Sequence, residues 1–172
     1  VSFLACAKNG IIWSSCSPDF GVQGVLDRFG QITPKIIIAC DGYYYNGKPH
    51  SIIDKLTKIV SNLPSVEKVI VVPYENESPK IELIPNAIIF DDFIDAYEAI
   101  LIKFEQLPFN HPLYIMYSSG TTGVPKCIIH GAGGTLLNHI SEHLLHSDEK
   151  QDDRIFYFPT CGWMMWNWLV SG

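Results

Sequence analysis

The chain has 172 residues, of which 47% are hydrophobic and 17% are charged, and it carries a net charge of −6. The length fits a single ordinary domain, the apolar content argues against a disordered chain, and no apolar run reaches the ~18 residues of a membrane-spanning helix. Lys and Arg are scattered, so there is no broad basic face for nucleic acid; any anion site is local, built from backbone N–H groups and one or two Lys.

In chain order, GIIWS at 10–14 reads as a strand. Val22, Val25, Leu26 and Phe29 follow at i, i+3, i+4 and i+7, one face of a helix. KIIIAC at 35–40 is a continuous β-branched run of the kind buried on both faces of a parallel sheet. Asn46-Gly47 is a turn signal. Ile52, Leu56, Ile59, Val60 and Leu63 mark an amphipathic helix that stops before Pro64. KVIVVP at 68–73 is a second buried strand, and 88–90 is short and apolar. Asp91-Asp92 opens a helix with the face Ile94, Tyr97, Leu101 and Phe104, its acids well placed at the N-terminus. PLYIMY at 112–117 and KCIIH at 126–130 are strands. Leu136, Leu137, Ile140 and Leu144 predict a helix face, and RIFYFP at 154–159 a strand before the aromatic segment 163–170. This alternation predicts an α/β fold of βαβ units, with a mainly parallel sheet flanked by helices. No linker marks a cut; 79–85 is the most loop-like stretch.

The charged fraction is below the ~25% usual for soluble domains. The chain starts at Val1, and its last residues, CGWMMWNWLVSG, are among its most apolar, whereas termini are usually polar and exposed. Together these predict an internal piece of a larger body that covers part of this surface. Cys6, Cys16, Cys40, Cys127 and Cys161 show no C-x-x-C spacing. Reduced thiols in a cytosolic protein are expected, rather than a disulfide framework or a zinc site.

The chemistry lies in SSGTTGVPK at 118–126, directly after a strand. Gly120 and Gly123 permit close backbone approach. Ser118, Ser119, Thr121 and Thr122 supply hydroxyls, and loop N–H groups can converge on an anion. Lys126 adds a point charge. A Walker loop needs Gly-Lys-Ser/Thr together, but Pro125 precedes Lys126 and Cys127 follows it. A dinucleotide fingerprint needs G-x-G-x-x-G opening a helix, and a strand follows here. A plain Ser/Thr/Gly loop is the remaining alternative.

The order strand, S-S-G-T-T-G-x-P-K, strand resembles the phosphate-binding signature of the acyl-adenylate-forming, AMP-binding enzymes (acyl-coenzyme A synthetases, luciferases, peptide-synthetase adenylation domains). SSCSPDFG at 14–21, GVLDRFGQITPK at 24–35, YNGK at 45–48, HGAGG at 130–134 and TCGWMMWNWLVSG at 160–172 resemble the branch that activates acetoacetate. In effect the whole chain is covered. The resemblance implies that 1–172 is part of the adenylation domain, the large N-terminal domain of such enzymes. The C-terminal lid and its catalytic lysine lie outside it, and Lys126 is not that lysine. The implied activity is an acid–thiol ligase that uses ATP, Mg2+ and coenzyme A. Ser118, Ser119, Gly120, Thr121, Thr122 and Gly123 would wrap the β- and γ-phosphates, Lys126 would offset their charge, and Mg2+ would bridge phosphate oxygens. Acetate, propionate or butyrate are alternative acids, and a non-catalytic nucleotide-binding module is the alternative class. Residues 1–172 alone are expected to be inactive. A small-molecule substrate, no nucleic-acid or membrane partner and a cytoplasmic location complete the expectation.

By the same resemblance Trp163, Met164, Trp166 and Asn167 would wall the acyl pocket, with Asn167 a candidate donor to the second oxygen of a keto acid; a core helix is the competing reading. Lys48 lies where related synthetases place a basic residue near the nucleotide end of coenzyme A. The upstream partner position holds Tyr45 instead, which leaves an exposed turn lysine as the simpler reading. His139, His143 and His146 share one helix face, read as polar surface rather than a metal site. His130 stands behind the phosphate loop or packs.

Overall fold

The computed structural model describes residues 1–118 and 123–172. The chain packs as two compact units: Val1–Ser17, 101–118 and Lys126–Gly172 form the first, and Pro18–Ile100 with 123–125 the second.

The second unit is built on a parallel sheet of β2 (Ile36–Cys40), β5 (Lys68–Val72) and β6 (Ala87–Ile89), in the order β2-β5-β6. β5 lies in the centre, and Val69 and Val71 are 0% exposed. The β-branched run buries itself there because both faces of a central strand are covered. β2 is an edge strand: Ile37 is buried, but Ile36 and Ile38 are exposed. The expectation of a strand buried on both faces therefore holds for 68–73 and fails for 35–40. Helix α2 (Val22–Ile32) follows the expected face; it stops where Thr33 turns left-handed (φ 46°) and its N–H bonds the Phe29 carbonyl, with Pro34 behind it. Helix α3 (Ile53–Ser61) buries Leu56, Ile59 and Val60.

Between β2 and α3 runs an antiparallel hairpin, β3 (Gly42–Tyr45) and β4 (Lys48–Ser51). Its turn residues Asn46 and Gly47 have φ of 48° and 72°, the paired positive values that a tight hairpin turn requires. The sequence signalled the turn but not the flanking strands.

The helix expected from Asp91 through Phe104 is only α4 (Phe90–Ile94). Leu101 and Phe104 are exposed, and the change of unit at Leu101 falls inside that segment. An apolar period without a surface to pack on does not hold a helix.

The first unit holds α1 (Ser2–Lys8), β1 (Trp13–Ser14), β7 (Pro112–Tyr117), β8 (Cys127–Gly131), α5 (Ala132–Ser141) and α6 (Met164–Ser171). Its sheet order is β1-β7-β8, with β1 parallel and β8 antiparallel to β7. Phe3 centres an aromatic core, with ring centroids 5.9 Å from both Trp13 and Tyr114 and 6.1 Å from Trp166. Helix α5 runs into a π-helical turn at Glu142–His146. Its packing is the reverse of the expected one. Leu136, Leu137, Ile140 and Leu144 are exposed, while Thr135 and His139 are buried. The 3.6-residue period located the helix but not the side that packs. No strand forms at 154–159 among the described residues, and Phe158 is 88% exposed; an apolar segment without a paired edge gains no ladder.

Candidate functional site

The phosphate-loop motif closes the β7–β8 hairpin. Tyr117 pairs with Cys127. Beyond them the Ser118 N–H donates to the Lys126 carbonyl (3.0 Å), and the Lys126 N–H donates to Ser118 Oγ (3.2 Å). The first and last side chains of the motif are therefore fixed as neighbours at one strand end. Gly123 has φ 124°, a value that strains any residue with a Cβ although open space surrounds the position. Lys126 is exposed. Ser119, Gly120, Thr121 and Thr122 lie outside the described residues.

The acyl-pocket candidates start from the same edge of the sheet. β1 is parallel to β7, so Ser15 and Cys16 leave the sheet where Ser118 does. The Ser15 hydroxyl donates to the Cys161 carbonyl (2.6 Å), and Cys161 Sγ donates to the Cys16 carbonyl (3.3 Å). This ties the start of the aromatic segment to the end of β1. Helix α6 then carries Asn167, buried, with Nδ2 3.5 Å from both Met116 Sδ and the Trp163 carbonyl. Its Oδ1 is buried without a partner. The atom of Asn167 with an open valence is thus an acceptor, whereas a keto oxygen calls for a donor. Trp166 packs into the aromatic core, 6.5 Å from Trp13, and Trp163 and Met164 are exposed. Trp166 thus takes the place that a core helix predicts, and Asn167 lies against Met116 of β7.

The histidine cluster departs from the sequence reading. His139 is buried, His143 is half-buried and His146 exposed, so the face read as polar surface turns inward. Ser171 Oγ donates to the Asn167 carbonyl (2.6 Å) and lies 2.7 Å from His139 Nε2. With the hydroxyl proton committed, His139 Nε2–H is the donor and Nδ1 is left bare. Burial, then the neighbouring His143, holds the His139 pKa below the ordinary histidine value. His143 stacks on Trp168 (5.1 Å), with Nδ1 2.5 Å from Glu149. The i, i+4, i+7 spacing was the signal for this cluster; its burial was not legible. His130 pairs with Tyr114, three residues along β8 from Cys127, with ring centroids 5.2 Å apart, and burial lowers its pKa. Among the described residues no group of three His, Cys, Asp or Glu is placed to hold a metal ion. A groove of about 510 Å³ lined by Arg154, Phe156, Tyr157 and Trp168 contains none of the expected site residues.

In the second unit Lys48 lies on β4, exposed and directly opposite Tyr45. Opposed residues share a face of the hairpin, so the cation and the phenol ring stand side by side. Next along that face, Tyr43 stacks on His50 at 5.2 Å.

The motif thus joins β7 to β8, with Ser118 and Lys126 bonded to each other at the strand ends. The chain belongs to the AMP-binding enzyme family, whose model matches residues 1–172. Among its relatives are the acetoacetyl-CoA synthetase of Macaca fascicularis, 54% identical over 175 residues and 99% of this chain, and the acetoacetyl-coenzyme A synthetase of Rhizobium meliloti (strain 1021), 55% identical over 170 residues and 98% of this chain. The chain spans about a quarter of each of those proteins, 26% of their length. The structure of acetoacetyl-CoA synthetase from Streptomyces lividans matches with a TM-score of 0.88 at 42% identity, over 99% of this chain and 25% of that one.

Proposed function

We propose that this chain is the phosphate-loop and acyl-pocket portion of an ATP-dependent acetoacetate:coenzyme A ligase. The observation that carries the reading is identity above 50% with acetoacetyl-CoA synthetases along nearly the whole chain, including the loop from Ser118 to Lys126. In the first half-reaction a carboxylate oxygen attacks the α-phosphorus of ATP and pyrophosphate leaves. In the second, the coenzyme A sulfur attacks the acyl carbon and AMP leaves. The loop residues hold the β- and γ-phosphates through N–H groups and hydroxyls, and Lys126 offsets charge as it gathers on the departing pyrophosphate. Mg2+ would come with ATP as part of the substrate and would offset phosphate charge together with Lys126. The α6 segment closes the acyl site, with Asn167 behind β7. Lys48 and Tyr45 on the hairpin receive the nucleotide end of coenzyme A, the cation toward phosphate and the ring toward the base. The reaction belongs in the cytosol, where the five cysteines stay reduced.

The test is ATP–pyrophosphate exchange by the full-length enzyme with acetate, acetoacetate and butyrate. Acetoacetate should give the highest kcat/KM, and Lys126→Ala should slow exchange about 100-fold. Exchange unchanged in Lys126→Ala removes the loop assignment; a preference for acetate or butyrate moves the ligase to another short acid. Residues 1–172 alone should form no thioester.

A further inference from the structure

Asp41 is 1% exposed, the most buried ionisable side chain among the described residues. No cation pairs with it there. Its carboxylate accepts three consecutive backbone N–H groups, from Tyr74 (2.7 Å), Glu75 (3.0 Å) and Asn76 (2.7 Å). Its backbone is committed too: its N–H donates to the Val72 carbonyl (3.2 Å), and its carbonyl accepts the Ile52 N–H (2.9 Å). One residue thus joins the end of β2, the end of β5 and the closing end of the β3–β4 hairpin. The next residue enforces the same closeness. A Cβ on Gly42 would lie 2.9 Å from the His50 carbonyl and 3.0 Å from Glu75 Cβ, so only glycine lets the hairpin and the 74–76 turn approach.

This clasp sits at the carboxyl end of parallel strands, where open α/β sheets receive ligands. Most of what it holds is not core. Tyr44, Tyr45 and Tyr74 are exposed, Tyr44 and Tyr74 meet edge to face at 6.0 Å, and Lys48 opposes Tyr45. A short two-stranded hairpin is marginal by itself. The direction in which Tyr45 and Lys48 point is therefore set at its base.

We infer that Asp41 is a positioning residue: through the β3–β4 hairpin it aims Tyr45 and Lys48 at the nucleotide end of coenzyme A. The inference rests on the assignment of that hairpin to coenzyme A given above. Asp41 touches no substrate. Its effect falls on the thioester-forming half-reaction and spares adenylate formation, for which Ser118 and Lys126 are held by the β7–β8 hairpin and not by the clasp.

The experiment compares Asp41→Asn, Gly42→Ala and Lys48→Ala in the full-length enzyme. For each, KM for coenzyme A is measured in thioester formation, and ATP–pyrophosphate exchange is measured without coenzyme A. Asparagine presents an N–H2 where one acceptor oxygen stood. Asp41→Asn should raise KM for coenzyme A about tenfold and leave exchange within about twofold. Gly42→Ala should show the same split and serves if Asp41→Asn fails to fold. Lys48→Ala should raise KM for coenzyme A, which checks the assignment on which the inference rests. If Lys48→Ala raises that KM while Asp41→Asn and Gly42→Ala do not, the positioning role is overturned and the hairpin assignment stands. If none of the three changes it, the hairpin assignment fails and the inference with it. If Asp41→Asn lowers both half-reactions by one factor with KM constant, Asp41 only stabilises the fold.

Discussion

The two units treat their buried polar groups in opposite ways. In the second, Asp41 is enclosed and fully bonded, and every described buried side-chain nitrogen or oxygen has a partner. In the first, Trp13 Nε1, Thr135 Oγ1, His139 Nδ1, His143 Nε2 and Asn167 Oδ1 are buried and have none. Leaving such a group without protein, water or ligand partner costs about 1–3 kcal/mol. The first unit also carries Ser118 and Lys126, the two ends of the phosphate-loop motif, together with α6 and a helix whose leucines face outward. Among the described residues the second unit satisfies its own buried polar groups, and the first leaves valences and the apolar face of α5 open.

The largest effect should separate the units by packing. Leu56, 3% exposed, should cost about 2–5 kcal/mol as Leu56→Ala, read from denaturant midpoints. Next is acid sensitivity of the second unit. Burial raises the Asp41 pKa, but the N–H groups of Glu75, Tyr74 and Asn76 lower it further, and the net shift is downward. A depressed carboxyl stabilises above its unfolded value of about 3.9 and loses that stabilisation as pH falls through the folded value. Asp41→Asn should therefore flatten the stability profile below about pH 4.

The first unit should respond at a higher pH. His139 and His130 are both depressed, so the unfolded chain takes up their protons first. Their contribution is complete above about pH 6.5 and falls as the pH drops toward the folded values. His139→Gln should reduce the slope below about pH 6.5 and leave the Asp41 window untouched. An equal slope in variant and parent would dissolve the contrast between the units. The smallest effect is Leu137→Ala: with Leu137 59% exposed, the 172-residue chain should change by less than about 0.5 kcal/mol. A loss above about 1 kcal/mol in the full-length protein would show that further chain covers this face there.

Features set by neighbours in sequence were legible. The Ser118–Lys126 motif, the Asn46-Gly47 turn and the β-branched run of β5 each carry their signal within a few residues. Features set by packing were not. The Asp41 clasp depends on N–H groups about thirty residues downstream, in a turn with no composition of its own. The inward face of α5 depends on what α6 offers, and periodicity cannot say which side of a helix will be covered. The segment after Asp91 has a helical period but no surface, and past α4 it turns and then runs without regular structure.

The pairing of β1 with β7 has a consequence in time. Ser14 meets Ile115 across 101 residues, whereas Lys35 and Glu67, at the start of the β2–β5 pair, are 32 apart. Closing the longer loop costs about 1 kcal/mol more in chain entropy. At the ribosome, at ~5–20 residues per second, β1 waits about 5–20 s for its partner to be made. During that interval Phe3 and Trp13 are bare while the second unit is already able to form. Pulse-labelled hydrogen exchange during refolding should protect the Ile70 amide before that of Ile115. Phe3 and Trp13 are thus made about a hundred residues ahead of the strand that shelters them, and a nascent-chain chaperone would have that interval to bind them.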